Sequence, residues 1–180
     1  MRRNPQHIRD GLLVLALFGV FLLFGEGLNR QNETHFSGRF RVIDGDSLTI
    51  DGTRLRMKGI DAPELTQTCR RNEQEWSCGR EARDFLASLV SSQTVQCSGA
   101  QPDRYKRLLV VCRKGDEDIN ATMVKEGMAV AYGGYKAEEG AARSAHRGIW
   151  AGSFEYPQDV REERHNGQAA RWLRDIVPWW

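Results

Sequence analysis

Three short stretches of this sequence concentrate side chains that can hold a cation and grip an anion. Asp44-Gly45-Asp46 lies between two β-rich runs, where a tight turn aims one carboxylate at the sheet and lets the other bond the turn backbone. Arg54-Leu55-Arg56-Met57-Lys58 alternates basic and apolar residues with a period of two, so a strand there carries a cationic row on one face. Asp61 and Glu64 project from the loop that follows, where Pro63 restricts both its own backbone and that of Ala62. In the third stretch, Asp103-Arg104-Tyr105-Lys106-Arg107, a basic turn carries one aromatic ring, and the arginine at its end offers a planar fork of donors that suits phosphate. Each stretch alone is equally a solvated turn or a structural ion-pair cluster; only the three together imply chemistry. His7, His35, His146 and His165 share no ligand or triad spacing and are assigned no role.

The elements that must position these groups are short. Phe40 to Ile43, Ser47 to Ile50 and Arg54 to Ile60 read as three strands of a meander, with Asp51-Gly52 a strong hairpin turn. Ala82, Phe85, Leu86 and Leu89 recur at helical spacing and predict a helix over 80–90. Thr94 to Ser98 and Arg107 to Arg113 read as two further strands. A second helix is expected over Ala121 to Glu126, with Asn120 as its N-cap and Gly127 as its stop, followed by a strand at Met128 to Tyr132. A third helix, ended by Gly148, carries Ala137, Ala141 and Ala145 on one stripe that suits close backbone packing. The fold class expected is α+β, a small five-stranded barrel of OB type with about three helices, preceded by an N-terminal hydrophobic helix.

At the N-terminus Arg2, Arg3, His7 and Arg9 precede an apolar run from Gly11 to Gly25 that Glu26 closes. A positive flank before such a run reads as an export signal, with the chain beyond it translocated. Residues 1–28 are therefore expected to be a signal anchor or a cleaved signal peptide, and 29–37 a linker. The protein is then inner-membrane anchored through this helix and faces the periplasm, or is secreted if the leader is removed. Residues 38–152 form the folded domain and 153–180 a helical tail, whose Trp172, Leu173, Ile176 and Val177 suit packing on the barrel or docking at a membrane interface. The four cysteines, Cys69, Cys78, Cys97 and Cys112, contain no C-x-x-C pair and suit disulfides better than zinc. Cys97 and Cys112 fall in neighbouring strands, and Cys69 and Cys78 bracket a polar loop. With 26 Lys plus Arg against 24 Asp plus Glu in 180 residues, the net charge of +2 excludes a histone-like polycation and is silent about nucleic acid.

The ordered series Val42-Ile43-Asp44-Gly45-Asp46-Ser47-Leu48, Arg54 to Glu64, Asp103 to Arg107, Asn120 to Ala129 and Arg147-Gly148-Ile149-Trp150 resembles the thermonuclease family, the staphylococcal-nuclease-like domain. The resemblance implies that Asp46 and Asp61 bind Ca2+ with the main-chain carbonyl of Ala62, and that Asp44 stands behind them. It implies that Glu64 is the general base and that Arg56 and Arg107 grip the scissile phosphate. Tyr105 and Arg104 match the substrate side, and either Tyr132 or Tyr135 matches a later pocket tyrosine, the Gly133-Gly134 insertion leaving the register open. The implied activity is a calcium-dependent endonuclease on DNA and RNA, single strands preferred, leaving 3′-phosphorylated products, with a monomer expected.

The residues agree with that chemistry. Asp44, Asp46, Asp61 and Glu64 outnumber the two arginines where an anionic phosphodiester must sit, and a hard divalent cation with oxygen ligands removes the conflict. The alternative from another class is a catalytically silent binding module of the same fold, tethered to the membrane. Such a module has no use for the complete set of carboxylates and arginines present here.

Overall fold

The computed structural model describes residues 11–20, 33–92 and 94–176, the stretch 168–176 as backbone only. It divides into two compact units, Met1–Thr34 and His35–Trp180. In the first, residues 11–20 are helical (α1). Among the described residues no helix is long and apolar enough to cross a membrane. The rest of the expected anchor, 1–10 and 21–28, lies outside the described residues, as do 29–32 of the expected linker.

In the second unit the main sheet has seven strands. These are β1 (Thr34–Ser37), β2 (Arg41–Val42), β3 (Ser47–Ile50), β4 (Thr53–Met57), β8 (Val95–Pro102), β9 (Leu108–Lys114) and β10 (Glu117–Asp118). Their order is β1-β8-β9-β4-β3-β2, with β10 on β9, and the pairing of β4 with β9 is parallel. Two further two-stranded sheets join β5 (Ile60–Asp61) to β11 (Val130–Ala131) and β6 (Cys69–Arg71) to β7 (Gln74–Trp76). The helices are α2 (Cys78–Val90), α3 (Ile119–Lys125), α4 (Lys136–Ser144) and α5 (Pro157–Ile176), with a 3-10 turn at Gly148–Ala151. The α+β class and an OB-like sheet are as expected; the strand count is not.

Three departures raise that count. Residues 34–37, read as linker, form the edge strand β1. The strand expected over Arg54 to Ile60 breaks at Gly59, whose φ of +82° turns the chain out of the main sheet and into β5. The polar loop between Cys69 and Cys78 is the hairpin β6–β7.

The helices differ in detail. The second expected helix begins earlier, because Asp118 and not Asn120 caps it by accepting from the Ala121 N–H. Asn120 is instead fully buried, accepting from the Cys112 N–H and donating to the Lys58 and Val110 carbonyls. On α4 the face turned inward is that of Ala142, and the stripe Ala137, Ala141, Ala145 is exposed.

The core follows from alternation and helical spacing. Leu48 on β3, Leu55 and Met57 on β4, Val95 and Cys97 on β8, and Val110 and Cys112 on β9 point to one side. Ala82, Leu86 and Val90 of α2 face inward at four-residue spacing, joined by Met123 and Val124 of α3 in the core. A satellite cluster gathers Cys69, Cys78, Val130 and Ile149 against Trp76, Trp150 and Phe154. The cysteines pair as Cys69–Cys78 and Cys97–Cys112, the second bridging directly opposed residues of β8 and β9.

Gly127 ends α3 with φ at +67°, and a Cβ there would run into the Arg147 carbonyl. Its own carbonyl accepts from the Ile149 N–H. Gly127→Ala is expected to lower the unfolding free energy by about 2 kcal/mol or more, read as a lower Tm and denaturation midpoint.

Candidate active site

The site is assembled from the loop before β3, the strand β4, the strand β5 with its following loop, and the turn between β8 and β9. In the turn Asp44-Gly45-Asp46, Asp44 Oδ1 accepts from the Asp46 N–H at 3.0 Å. This turn lies close against Ala62 and Ala82, since a Cβ on Gly45 would meet the Ala62 Cβ at 2.6 Å. The Asp46 carboxylate is thereby driven inward and is 2% exposed. One of its oxygens takes the Ala62 N–H at 2.9 Å; the other takes Ser47 Oγ at 3.1 Å and the guanidinium of Arg56.

Arg56 stands opposite Ser47 in the β3–β4 ladder, so the register itself carries its side chain to Asp46. Its second nitrogen reaches Asp61 Oδ1 at 2.7 Å. Asp61 is held by β5 pairing with Val130 of β11 and is also 2% exposed. Arg54, expected on the same cationic face, is exposed and pairs across to Thr49. Lys58 is also exposed, beyond the end of β4.

Burial dominates the electrostatics. It pushes the Asp46 carboxyl up to about 7, against the opposing pull of Arg56, while Asp44 adds to the rise. Burial also opposes the charge of Arg56, but Asp46 and Asp61 outweigh it and hold the guanidinium above its ordinary value.

Glu64 is half-buried and fixed through its backbone. Its N–H donates to Gln67 Oε1 at 3.1 Å and its carbonyl accepts from the Gln67 N–H at 2.7 Å. Gly79 at the start of α2 lies so close to that carbonyl that no Cβ would fit. The Cys69–Cys78 bridge locks the same corner. Gln67, 6% exposed, also donates to the Glu155 carbonyl at 2.7 Å, joining the Glu64 loop to the approach of α5.

From α5 come two groups that no sequence spacing announced. Arg161 donates from Nη1 to Asp61 Oδ1 at 3.0 Å and from Nη2 to Asp61 Oδ2 at 2.9 Å, and Nη1 also reaches Glu64 Oε1 at 3.1 Å. Arg164 Nη1 lies 3.7 Å from Glu64 Oε2.

Arg107 is oriented by Asp103. The carboxylate accepts from the Tyr105 and Arg107 N–H groups at 2.8 and 2.9 Å and from Arg107 Nε at 2.8 Å. Arg107 Nη1 then extends to Ser47 Oγ at 3.5 Å, beside Asp46. Tyr105 is exposed, with the guanidinium groups of Arg104 and Arg107 at 4.8 and 5.5 Å from its ring centre.

The two candidate tyrosines part company. Tyr132 is 62% exposed and lines a depression of about 260 Å³ with Asp61, Val130, Tyr156, Gln158 and Asp159. Tyr135 turns away: its ring rests on Gly59 and its hydroxyl donates to Asp118 at 3.2 Å. Burial and Asp118 push that hydroxyl above the ordinary phenol range. A second depression, about 340 Å³ between β2 and α2, contains none of the candidate residues.

Burial acts upward on the Asp103 carboxyl, yet the hydrogen bonds from Arg107 and Tyr105 prevail and hold it below the usual carboxylate range. Ionised Asp103 therefore stabilises the turn above the carboxylate's unfolded pKa, and that contribution is lost as pH falls through the lowered folded value. An NMR titration is expected to place Asp103 below a model carboxyl. Asp103→Asn is expected to abolish this low-pH loss of turn order and to lower turnover by about tenfold through a loosely held Arg107.

The family model for Staphylococcal nuclease homologue matches residues 54–152. A succinoglycan biosynthesis protein, ExoI, of Rhizobium meliloti (strain 1021) is 34% identical over 137 residues, 72% of each chain. A thermonuclease of Staphylococcus intermedius is 34% identical over 136 residues, covering 68% of this chain and 79% of its own. An uncharacterized endonuclease of Haemophilus influenzae (strain ATCC 51907 / DSM 11121 / KW20 / Rd) is 32% identical over 173 residues, covering 88% of this chain and 90% of its own. The matched segment contains Arg56, Asp61, Glu64 and Arg107, and this chain belongs to the staphylococcal nuclease homologues as a hydrolytic nuclease.

Proposed function

We propose that this nuclease is a calcium-dependent endonuclease that hydrolyses the phosphodiester bonds of DNA and RNA, preferring single strands and leaving 3′-phosphorylated products. The observation that carries this reading is the buried pair Asp46 and Asp61, each 2% exposed, with Arg56 shared between them. Two carboxylates almost wholly removed from water, held by the partly buried Arg56 and, at Asp61, by Arg161, are costly to keep ionised. Burial is the chief cause of the rise of the Asp46 carboxyl to about 7, with Arg56 opposing it and Asp44 and Asp61 adding to it.

A divalent cation answers the same charge without a proton. Among the described residues no three His, Cys, Asp or Glu side chains are arranged to hold a metal. The donor set that the resemblance implies is Asp46 and Asp61 with the Ala62 carbonyl and water, all oxygen, which fits a hard ion such as Ca2+ and not zinc. When bound, the cation polarises the phosphoryl oxygen as a Lewis acid.

The chain's own groups do the rest. Arg56 and Arg107 offset charge that develops on the phosphate, and both are already oriented, by Asp46 and Asp61 in one case and by Asp103 in the other. Glu64 accepts the proton of the attacking water. Asp44 holds the turn that carries Asp46. Tyr132 beside Asp61, with Tyr105 and Arg104 on the exposed turn, offers ring faces and charge to splayed nucleotides, which a rigid duplex presents poorly.

We place the protein outside the cytoplasm as a monomer, anchored in the inner membrane through residues 1–28 or secreted after their removal. The basic flank and apolar run support export, and two disulfides suit an oxidising compartment.

The purified chain is expected to degrade single-stranded DNA in calcium and to stop in chelator. Glu64→Gln and Arg107→Ala are each expected to lower kcat by about a hundredfold or more at unchanged Tm. Binding of a single-stranded oligonucleotide in calcium with no cleavage overturns the reading in favour of a silent binding module.

A further inference from the structure

The family match ends at residue 152 and α5 begins at Pro157, so the helix that reaches the carboxylates lies beyond the matched segment. Its approach is well secured. Gln67 donates to the Glu155 carbonyl, Arg143 Nη2 donates to the Tyr156 hydroxyl at 3.2 Å, and Trp150 meets Phe154 edge-on with ring centres 4.9 Å apart. Beyond this root, Arg161 and Arg164 stand three residues apart and share one helix face. Arg161 spans Asp61 with two near-parallel bonds and adds Glu64 Oε1; Arg164 approaches Glu64 Oε2 and donates to Thr66 Oγ1 at 3.3 Å.

The consequence is one of occupancy. With Arg56 and Arg161 both on Oδ1 and Arg161 on Oδ2, the Asp61 carboxylate has given three of its about four accepting positions to guanidinium groups. A divalent cation that takes Asp61 as ligand needs those same lone pairs and supplies the same charge compensation. Unlike Arg56, whose side chain is 15% exposed, Arg161 is 40% exposed and its head can leave for water.

We infer that Arg161 is a tethered counter-cation of this site: it caps Asp61 and Glu64 when no metal is bound, and a divalent cation must displace it, freeing the α5 face from the carboxylates. The inference rests on the calcium reading above. Arg161 then sets how much calcium the enzyme needs, and its release frees Glu64 to meet water. A two-pronged, partly exposed ion pair weakens the competing cation by about tenfold.

The test is calcium binding by the full-length chain, followed by isothermal titration calorimetry without nucleic acid. Arg161→Gln is expected to bind calcium about tenfold more tightly than the parent, and Arg161→Lys to fall between them, because one ammonium cannot reproduce the fork. Arg83→Gln removes an equal charge from an arginine that pairs only with Asp84 among the described residues, and its affinity is expected to stay within about twofold of the parent. In the parent, saturating calcium is expected to raise amide exchange over 157–164, and in Arg161→Gln to leave it unchanged. Equal calcium affinity of parent and Arg161→Gln, or α5 exchange in the parent that calcium does not move, overturns the inference and leaves the metal site standing. Failure of both chains to bind calcium overturns the metal reading and the inference together.

Discussion

Everything in the site depends on one partly buried guanidinium. Arg56 bonds Asp46 with one nitrogen and Asp61 with another, and both carboxylates are almost wholly removed from water. Without it, two like charges would face each other in a poorly solvated corner, where unpaired burial costs several kcal/mol per ion. The β3–β4 register places Arg56 opposite Ser47, next to Asp46, so the ladder that builds the sheet also builds the pair. The parallel pairing of β4 with β9 then sets Leu109 beside Arg56 and Leu108 beside Leu55. Arg107, one residue earlier, is thereby delivered to the same end of the sheet.

Burial keeps the ionised form of Asp46 costly even with Arg56 beside it, and the rise of its carboxyl records that cost. An apolar replacement would pack better, but it would offer nothing to a cation or a phosphate. The protein offsets this cost away from the reacting groups. The Cys69–Cys78 bridge, the close seat of Gly79 on the Glu64 carbonyl and the bracing of Gln67 hold the Glu64 loop by its backbone, so the carboxylate's only ion-pair partners among the described residues are Arg161 and Arg164. Asp103 does the same for Arg107 from within its own turn. The Cys97–Cys112 bridge secures the two strands that carry that turn between them.

α5 covers one side of the site, with Arg161 on Asp61 and Glu64 and Arg164 beside Glu64. This helix, rooted on Trp150, Phe154 and Tyr156, lies beyond the matched residues 54–152 and brings arginines to the carboxylates. The segment around Arg161 and Arg164 contacts Asp61, Glu64 and Thr66 through polar groups. The side chains of Trp172, Leu173, Ile176 and Val177 lie outside the described residues.

By itself the sequence determined the residue types and their local directions. Alternation in Arg54 to Met57 set Leu55 and Met57 inward and Arg56 outward, the Asp-Gly-Asp turn presented Asp46, and the order of motifs identified the family. The strands of Cys97 and Cys112 read as possible neighbours, while the pairing itself came from the folded chain. Tertiary structure decided what no short-range rule reaches: that Tyr132 and not Tyr135 borders Asp61, and that Asp118 and not Asn120 caps α3. It also decided that Glu64 rests on Gln67 and that Arg161 completes the charge balance. Strand and helix periodicities act over a few residues. The contacts of Arg161 with Asp61 and Glu64 span 100 and 97 residues, a separation at which only the folded chain brings the charges together.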